Sequence, residues 1–399
     1  MTNPIPSRVF CTLALAVFVA VWRPFSGAPE SAHGSEADTL SVVDSLIYAA
    51  IADKAFPGAA LAVGLSGEVT ELKAYGSFTY RGRTPVTPES VFDMASLTKV
   101  ICTTTVAMLL YEEGRLDLDA PVRYYVPEFA QNGKGKVTVR QLLTHTSGLR
   151  PYIFFHEIGI TDRDVVLDSI MADVLVTTPG ETSRYSDFSM ITLAIVIERI
   201  TGQDVASYAR EYVFEPLGMH ATGFRGTGTP DPTVVPTERD DYFRHRQLQG
   251  EVHDETAWIL GGTAGHAGLF SSVSDVARFA SMMTRGGVVE GVQFLQAETI
   301  HMFTTAVDTS SHTRALGWDT KSPDKPSAAG DYFGTRSYGH TGYTGTSMWI
   351  DPDKQLFVVL LTNRVFPTRK NSAHIEVRRA VTDRIYEELF GVPEWAPVE

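Results

Sequence analysis

Apolar residues recur along this chain with two different periods. Leu40, Val43, Ile47 and Ile51 fall three or four residues apart, which predicts one face of a helix. Beyond Pro57, the runs GAALAVGL and VTELKAYG flank Ser66-Gly67 and predict two strands around a tight turn. The far end repeats the pattern in reverse. There SMWID and QLFVVLLTN flank Pro352-Asp353, and a helical pattern runs from His374 to Phe390. Between the ends the spacing is helical over Thr98–Glu113, Val165–Val176, Ser189–Thr201 and Asp204–Phe214, with a loop rich in Gly, Thr and Pro at Thr222–Thr237.

Helix-strand-strand at one end and strand-strand-helix at the other imply that the termini share one α/β layer. The expected architecture is an antiparallel sheet flanked by helices, from residues 38–95 and 255–399, with a mainly helical lobe of residues 96–254 inserted into it. A ligand cleft is expected between the lobes. Ahead of them lies a different kind of segment. Val9 to Trp22 reads VFCTLALAVFVAVW, set between Arg8 and Arg23 with no acid nearby. Fourteen residues at about 1.5 Å each fall short of a bilayer core of about 30 Å but suit the apolar stretch of a secretory signal. Residues 1–34 read as a signal peptide or N-terminal anchor. The protein is expected to be exported, periplasmic or extracellular, with any membrane anchoring confined to this segment.

Composition narrows the picture further. With 43% hydrophobic and 20% charged residues, the chain has the balance of a globular protein. Lys and Arg number 34 against 47 Asp and Glu, a net charge of −13 that repels polyanions, so no nucleic-acid partner is expected. Cys11 and Cys102 are the only cysteines. Cys102 lies in an apolar helical stretch and reads as a buried thiol, and no cysteine zinc site can be assembled.

Several chemistries lack their motifs: GxSxG, GxGxxG, GxxxxGK and HExxH do not occur. SxxK occurs twice. Ser322-Pro-Asp-Lys325 sits among prolines in a polar loop and holds no fixed geometry. Ser96-Leu-Thr-Lys99 lies where FDMAS meets a helix, which brings the Lys99 amine beside the Ser96 hydroxyl on one helix face. Backbone N–H groups at that helix end favour a developing oxyanion. A capping serine beside a solvated lysine explains the same residues equally well. Tyr185, in Tyr185-Ser186-Asp187 before the next helix, is a candidate base if a cation lowers its pKa from about 10. Gly339-His340-Thr341-Gly342-Tyr343 enters the strand SMWID, where glycine admits a close substrate and a backbone N–H can complete an oxyanion hole.

In the order SxxK, YxD, HTG these motifs resemble the serine β-lactamase and penicillin-binding superfamily, specifically its class C-like branch of esterases and D-amino-acid peptidases. The similarity covers nearly all of the chain after the first segment, including RLDLDAPV, LLTHTSGL, PGETSRYSD, FEPLGM and GHTGYTGT. VHDETA and GGTAGHAGLF resemble its periplasmic esterase and penicillin-binding subgroup. The resemblance implies an α/β, β-lactamase-like (DD-peptidase) fold. It implies Ser96 as acylated nucleophile, Lys99 as partner in proton transfer, Tyr185 as general base, and an oxyanion hole from the Ser96 and Tyr343 N–H groups. Neither metal nor cofactor is implied.

Asp187, His340, Thr341, Gly342 and Asn371 fall at substrate-binding positions of the resemblance. For His253, Asp254 and His266 the first reading is a structural role, with substrate contact as the alternative and a weak metal site with other carboxylates as the remaining one, and His145 is expected to hold a turn. The expected substrate is a small molecule or a peptidoglycan peptide. Class C β-lactamases carry Lys-Thr-Gly where this chain has His340-Thr341-Gly342, an asparagine where it has Asp187, and usually an arginine where it has His374. Carboxylate recognition is therefore expected to be weak, and ester or peptide hydrolysis (esterase or DD-carboxypeptidase-like) to outrank β-lactam hydrolysis. A penicillin-binding protein or weak β-lactamase is the alternative within the family. A catalytically silent binding or scaffold protein on the same fold is the alternative outside enzymes.

Overall fold

The computed structural model describes residues 40–307, 314–322 and 326–394. The apolar N-terminal segment and Lys325 of the second SxxK lie outside the described residues. Strands β1 (Gly58–Leu65) and β2 (Glu68–Gly76) form the front hairpin. Three short strands, β3 (Val91–Asp93), β4 (Gly223–Phe224) and β5 (Leu269–Ser272), make a small sheet of their own. Four more come from the far end: β6 (Asp319–Thr320), β7 (Tyr338–Thr341), β8 (Ser347–Asp351) and β9 (Leu356–Thr362). The main sheet runs in the order β6-β7-β8-β9-β1-β2, antiparallel throughout. The termini do share one layer, joined where β1 pairs with β9 from Ala59↔Thr362 to Leu65↔Leu356.

The continuous apolar runs of β1 and β9 follow from burial on both faces. Leu61 and Val63 of β1, with Leu356, Val358 and Leu360 of β9, face a core closed by helices α1 (Ser41–Ala52) and α5 (His374–Phe390). Their neighbours Ala60, Ala62, Phe357, Val359 and Leu361 face a larger core under helix α4 (Val273–Thr284). That core extends into the helical part of the chain through helices α2 (Thr105–Glu112) and α3 (Asp187–Thr201). Cys102 is buried there, and burial pushes its thiol far above the usual range.

Two boundaries differ from the sequence expectation, for local reasons. The helix expected over Val165–Val176 spans Arg163–Ala172. Asn132 and Lys134 take the Ala172 and Asp173 carbonyls, and the Val176 N–H donates to Gly148 O at 2.8 Å, so the chain leaves the helix early. Helix α3 starts at Asp187 rather than Ser189, because the Ser186 hydroxyl accepts the Ser189 N–H and caps it.

Because β9 loses its β1 partner when the front of the chain is removed, a fragment of residues 238–399 should show no cooperative melt by circular dichroism. A sharp melt of that fragment would mean that the sheet does not need its front hairpin.

Candidate active site

The turn that carries Ser96 is held by an unusual carboxylate. Asp93, buried at the end of β3, accepts the Ala95 N–H at 2.8 Å and the His253 N–H at 2.7 Å. Burial pushes the Asp93 pKa up, with these two N–H bonds opposing. Between Asp93 and Ser96, Ala95 adopts φ +44°, a left-handed conformation that costs about 1–3 kcal/mol for a residue with a side chain. The helix then opens with a π-helical turn over Lys99–Thr104 before continuing as α2.

Lys99 is buried and is the hub of the site. Its Nζ lies 2.9 Å from each of Ser96 Oγ, the His266 carbonyl oxygen and Asp187 Oδ1. Burial alone would push the ammonium down. The Asp187 carboxylate, and to a lesser degree the Tyr185 hydroxyl, more than offset it, so Lys99 is held above the usual lysine range. Tyr185 sits beside it, its ring centroid 4.9 Å from Lys99 Nζ. Burial raises the Tyr185 pKa, the Asp187 charge adds to that, and Lys99 and Ser96 oppose without prevailing. At rest, then, lysine and tyrosine both keep their protons.

His145 does more than hold a turn. Its carbonyl accepts the Arg184 N–H at 2.8 Å and its Nδ1 accepts the Ser186 N–H at 3.1 Å, gripping the backbone on both sides of Tyr185. Its ring packs on the Tyr185 ring at 4.7 Å between centroids. Burial, with Arg314 and Lys99 nearby, drives the His145 pKa well below 6.5 and keeps it the neutral acceptor that this grip needs.

Across from Ser96, the turn after β7 is seated directly on the Ser96 turn. Thr344 Oγ1 donates to Asp93 O at 2.7 Å and Thr346 Oγ1 to Met94 O at 3.1 Å. Gly342 is required there, since a Cβ would come within 2.1 Å of Thr346 Oγ1 and 2.5 Å of Met94 O. The Gly342 and Gly345 N–H groups are satisfied within the turn, whereas those of Ser96 and Tyr343 donate to no other backbone carbonyl among the described residues. Two N–H groups left over in this way, one on each of two turns in contact, suit an oxyanion.

His340 lies on β7 with its ring 5.8 Å from Tyr185, and Thr341 follows it, partly exposed at the strand end. Burial and the neighbouring Arg314 and Lys99 push His340 well below 6.5, so it is neutral. Arg314 lies beside His340. Its guanidinium stands 3.5 Å from His340 Nε2 and 5.0 Å over the Tyr185 ring, and Asp319 on the edge strand lies 3.7 Å away. A permanent cation therefore occupies the place next to the missing lysine. No periodicity marked Arg314 in the sequence, since it reaches the site through the pairing of β6 with β7.

The remaining candidates are committed inward. His253 is buried with Nε2 3.0 Å from Glu238 Oε2, and its ring stacks on Tyr343 at 5.7 Å. His266 is buried with Nε2 3.0 Å from Asp254 Oδ1. Asp254 also caps a short helix through the Ala257 N–H, and is one-third exposed. Burial would raise its pKa, but the His266 contact, the N–H bond and Lys99 hold it below the usual carboxylate range. Asn371 spends both polar ends on the backbone, donating to Lys54 O at 2.5 Å and accepting the Ala373 N–H at 2.9 Å. His253 and His266 thus each commit Nε2 to a carboxylate and Asn371 commits both polar ends to the backbone, while His266 Nδ1 is buried without a hydrogen-bond partner among the described residues. Among the described residues, no group of three or more His, Cys, Asp or Glu is placed to hold a metal.

The chain is similar to known proteins. The Beta-lactamase family model matches residues 43–383. An Escherichia coli K12 protein that carries the provisional name D-alanyl-D-alanine carboxypeptidase is 30% identical over 89% of this chain and 88% of its own. A Bacillus subtilis protein named N-acetylmuramyl-L-alanine amidase is 32% identical over 82% of this chain and 81% of its own. Among solved structures, the hydrolase EstCE1 superposes with a TM-score of 0.70 at 23% identity, over 86% of this chain and 98% of its own. A penicillin-binding protein homologue from Pyrococcus abyssi also reaches 0.70 at 23% identity, over 90% and 79%.

Asp187 raises both Lys99 and Tyr185, so Asp187→Asn should lower both. If attack by Ser96 needs one proton to have left this pair, the acid limb of the pH–rate profile should move to lower pH in the variant. Labelling by a fluorophosphonate at a series of pH values checks this. An unmoved limb, or a shift to higher pH, would show that the pair does not control the nucleophile.

Proposed function

The chain belongs to the beta-lactamase family, and from that membership we propose that it is a serine hydrolase acylated on Ser96, acting on peptides or related amides that end in a carboxylate. The observation that carries this reading is the meeting of Ser96 Oγ with Lys99 Nζ at 2.9 Å, beside Tyr185 and two unengaged N–H groups. Once one proton has left the Tyr185–Lys99 pair for solvent, the Ser96 oxygen attacks the substrate carbonyl carbon and its own proton passes to the base so formed. The carbonyl oxygen takes up the electron pair and is held by the Ser96 and Tyr343 N–H groups, whose loss would cost about 3–4 kcal/mol of barrier. Collapse of the tetrahedral species expels the amine, which takes the proton from the pair. Water then repeats the cycle on the acyl-enzyme and restores Ser96.

Arg314 supports the substrate class. Beside neutral His340 it offers a cation for a leaving group's carboxylate, next to the edge strand that a bound peptide would follow. The names of the E. coli and B. subtilis relatives point to cell-wall peptides and amides, which fits the export inferred from Val9–Trp22. Neutral esters are a second reading, favoured by the lack of a lysine at 340.

Ser96→Ala should abolish covalent labelling by a fluorescent penicillin or a fluorophosphonate and lower turnover by about a thousandfold or more, with the melting temperature little changed. Labelling at the wild-type rate would sink the assignment. Arg314→Met should reduce kcat/KM for a peptide ending in D-Ala by about tenfold to a hundredfold, as expected for a charge-assisted bond of about 1.5–3 kcal/mol. It should change a neutral p-nitrophenyl ester much less. Equal losses on both substrates would place Arg314 in support of Tyr185 instead of in carboxylate binding.

A further inference from the structure

A row of half-exposed rings leaves the site at both ends. It begins at Tyr343, 50% exposed and one residue beyond the HTG triplet. The Arg369 guanidinium lies 5.8 Å over the Tyr343 ring and 5.0 Å over that of Tyr242, which is 47% exposed. From Tyr242 the row continues to His156 at 5.9 Å, on to Phe154 at 6.0 Å, and to Tyr152 a further 4.8 Å away. Phe154 and Tyr152 are 45% and 52% exposed. The row closes on the site again, because the neighbouring Pro151 carbonyl accepts the Asp187 N–H at 2.8 Å.

This wall is rigid. Buried Phe155 stacks on Phe188 of α3 at 6.1 Å, and His156 rests on Phe243 at 5.1 Å, itself backed by Trp258. The Tyr242 hydroxyl is tied to Glu255 and Arg369, and Arg369 is tied to Glu238. Rings fixed in place but left facing water are a ligand surface rather than an unfinished core. Polar groups interleave with them, and His156 Nδ1 is shielded from water without a hydrogen-bond partner among the described residues. An acyl chain would call for a closed, dry channel. Flat apolar faces alternating with fixed polar groups match a pyranose, whose C–H face stacks while its hydroxyls and acetamido groups bond at the edge.

We propose that this aromatic wall binds the sugar rings of a glycosylated substrate whose peptide or amide enters the Ser96 cleft. The proposal rests on the hydrolase reading for the position of the scissile bond, but not for sugar binding itself. The probe is the disaccharide N-acetylglucosaminyl-N-acetylmuramic acid, titrated calorimetrically into the Ser96→Ala protein with and without Tyr152→Ser and Phe154→Ser. Binding should weaken about tenfold in the doubly changed wall. In parallel, the ratio of kcat/KM for a muramyl-linked peptide to that for the same peptide lacking sugar should be well above one in the wild type and collapse toward one when the wall is changed. No disaccharide binding, or binding indifferent to the two rings, overturns the wall. Disaccharide binding with neither peptide cleaved leaves the wall standing and overturns the hydrolase reading.

Discussion

A buried ammonium sets the terms for everything around it. Lys99 has no access to water, and an isolated charge in that position would cost several kcal/mol. The fold meets this cost with three acceptors from three separate stretches of chain: Ser96 Oγ one turn away, the His266 carbonyl oxygen, and Asp187 at the start of α3. Each acceptor fixes the segment that bears it. One cation therefore draws together the nucleophile helix, the tyrosine loop and the strand-side loop, and the site cannot assemble in part.

What was legible in the sequence is what short-range geometry dictates. Ser96 and Lys99 are three residues apart on a helix, so their contact is nearly guaranteed once the helix forms. The terminal strands were legible because doubly buried strands must be apolar at every position, and GAALAVGL and LFVVLLT are. Tyr185 was legible as a candidate base from its place just before a helix, whereas the resemblance supplied Tyr343, whose place depends on a loop that carries no periodic signal.

What stayed hidden depends on pairing between distant segments. Arg314 becomes a site residue only because Asp319 pairs with Gly339 and carries its neighbours to β7. For His253 and His266 the sequence left structural and substrate-contact roles open, since nothing near them reveals that Glu238 and Asp254 each take an Nε2. Asn371 likewise gave no sign that Lys54, from the opposite end of the chain, takes its amide. In each case the missing information was the identity of a partner on a remote element.

The seam between β1 and β9 has a consequence for the order of events during synthesis. Residues paired there stand about 300 positions apart in the chain. At about 5–20 residues per second, the front hairpin emerges from the ribosome some tens of seconds before its partner strand exists. Through that interval β1 offers an unpaired, wholly apolar edge to any nascent chain nearby. The strand that completes the sheet is made long after the hairpin that needs it, so holding factors that cover β1 during this delay, rather than the speed of any local step, should govern how much of the protein is recovered folded.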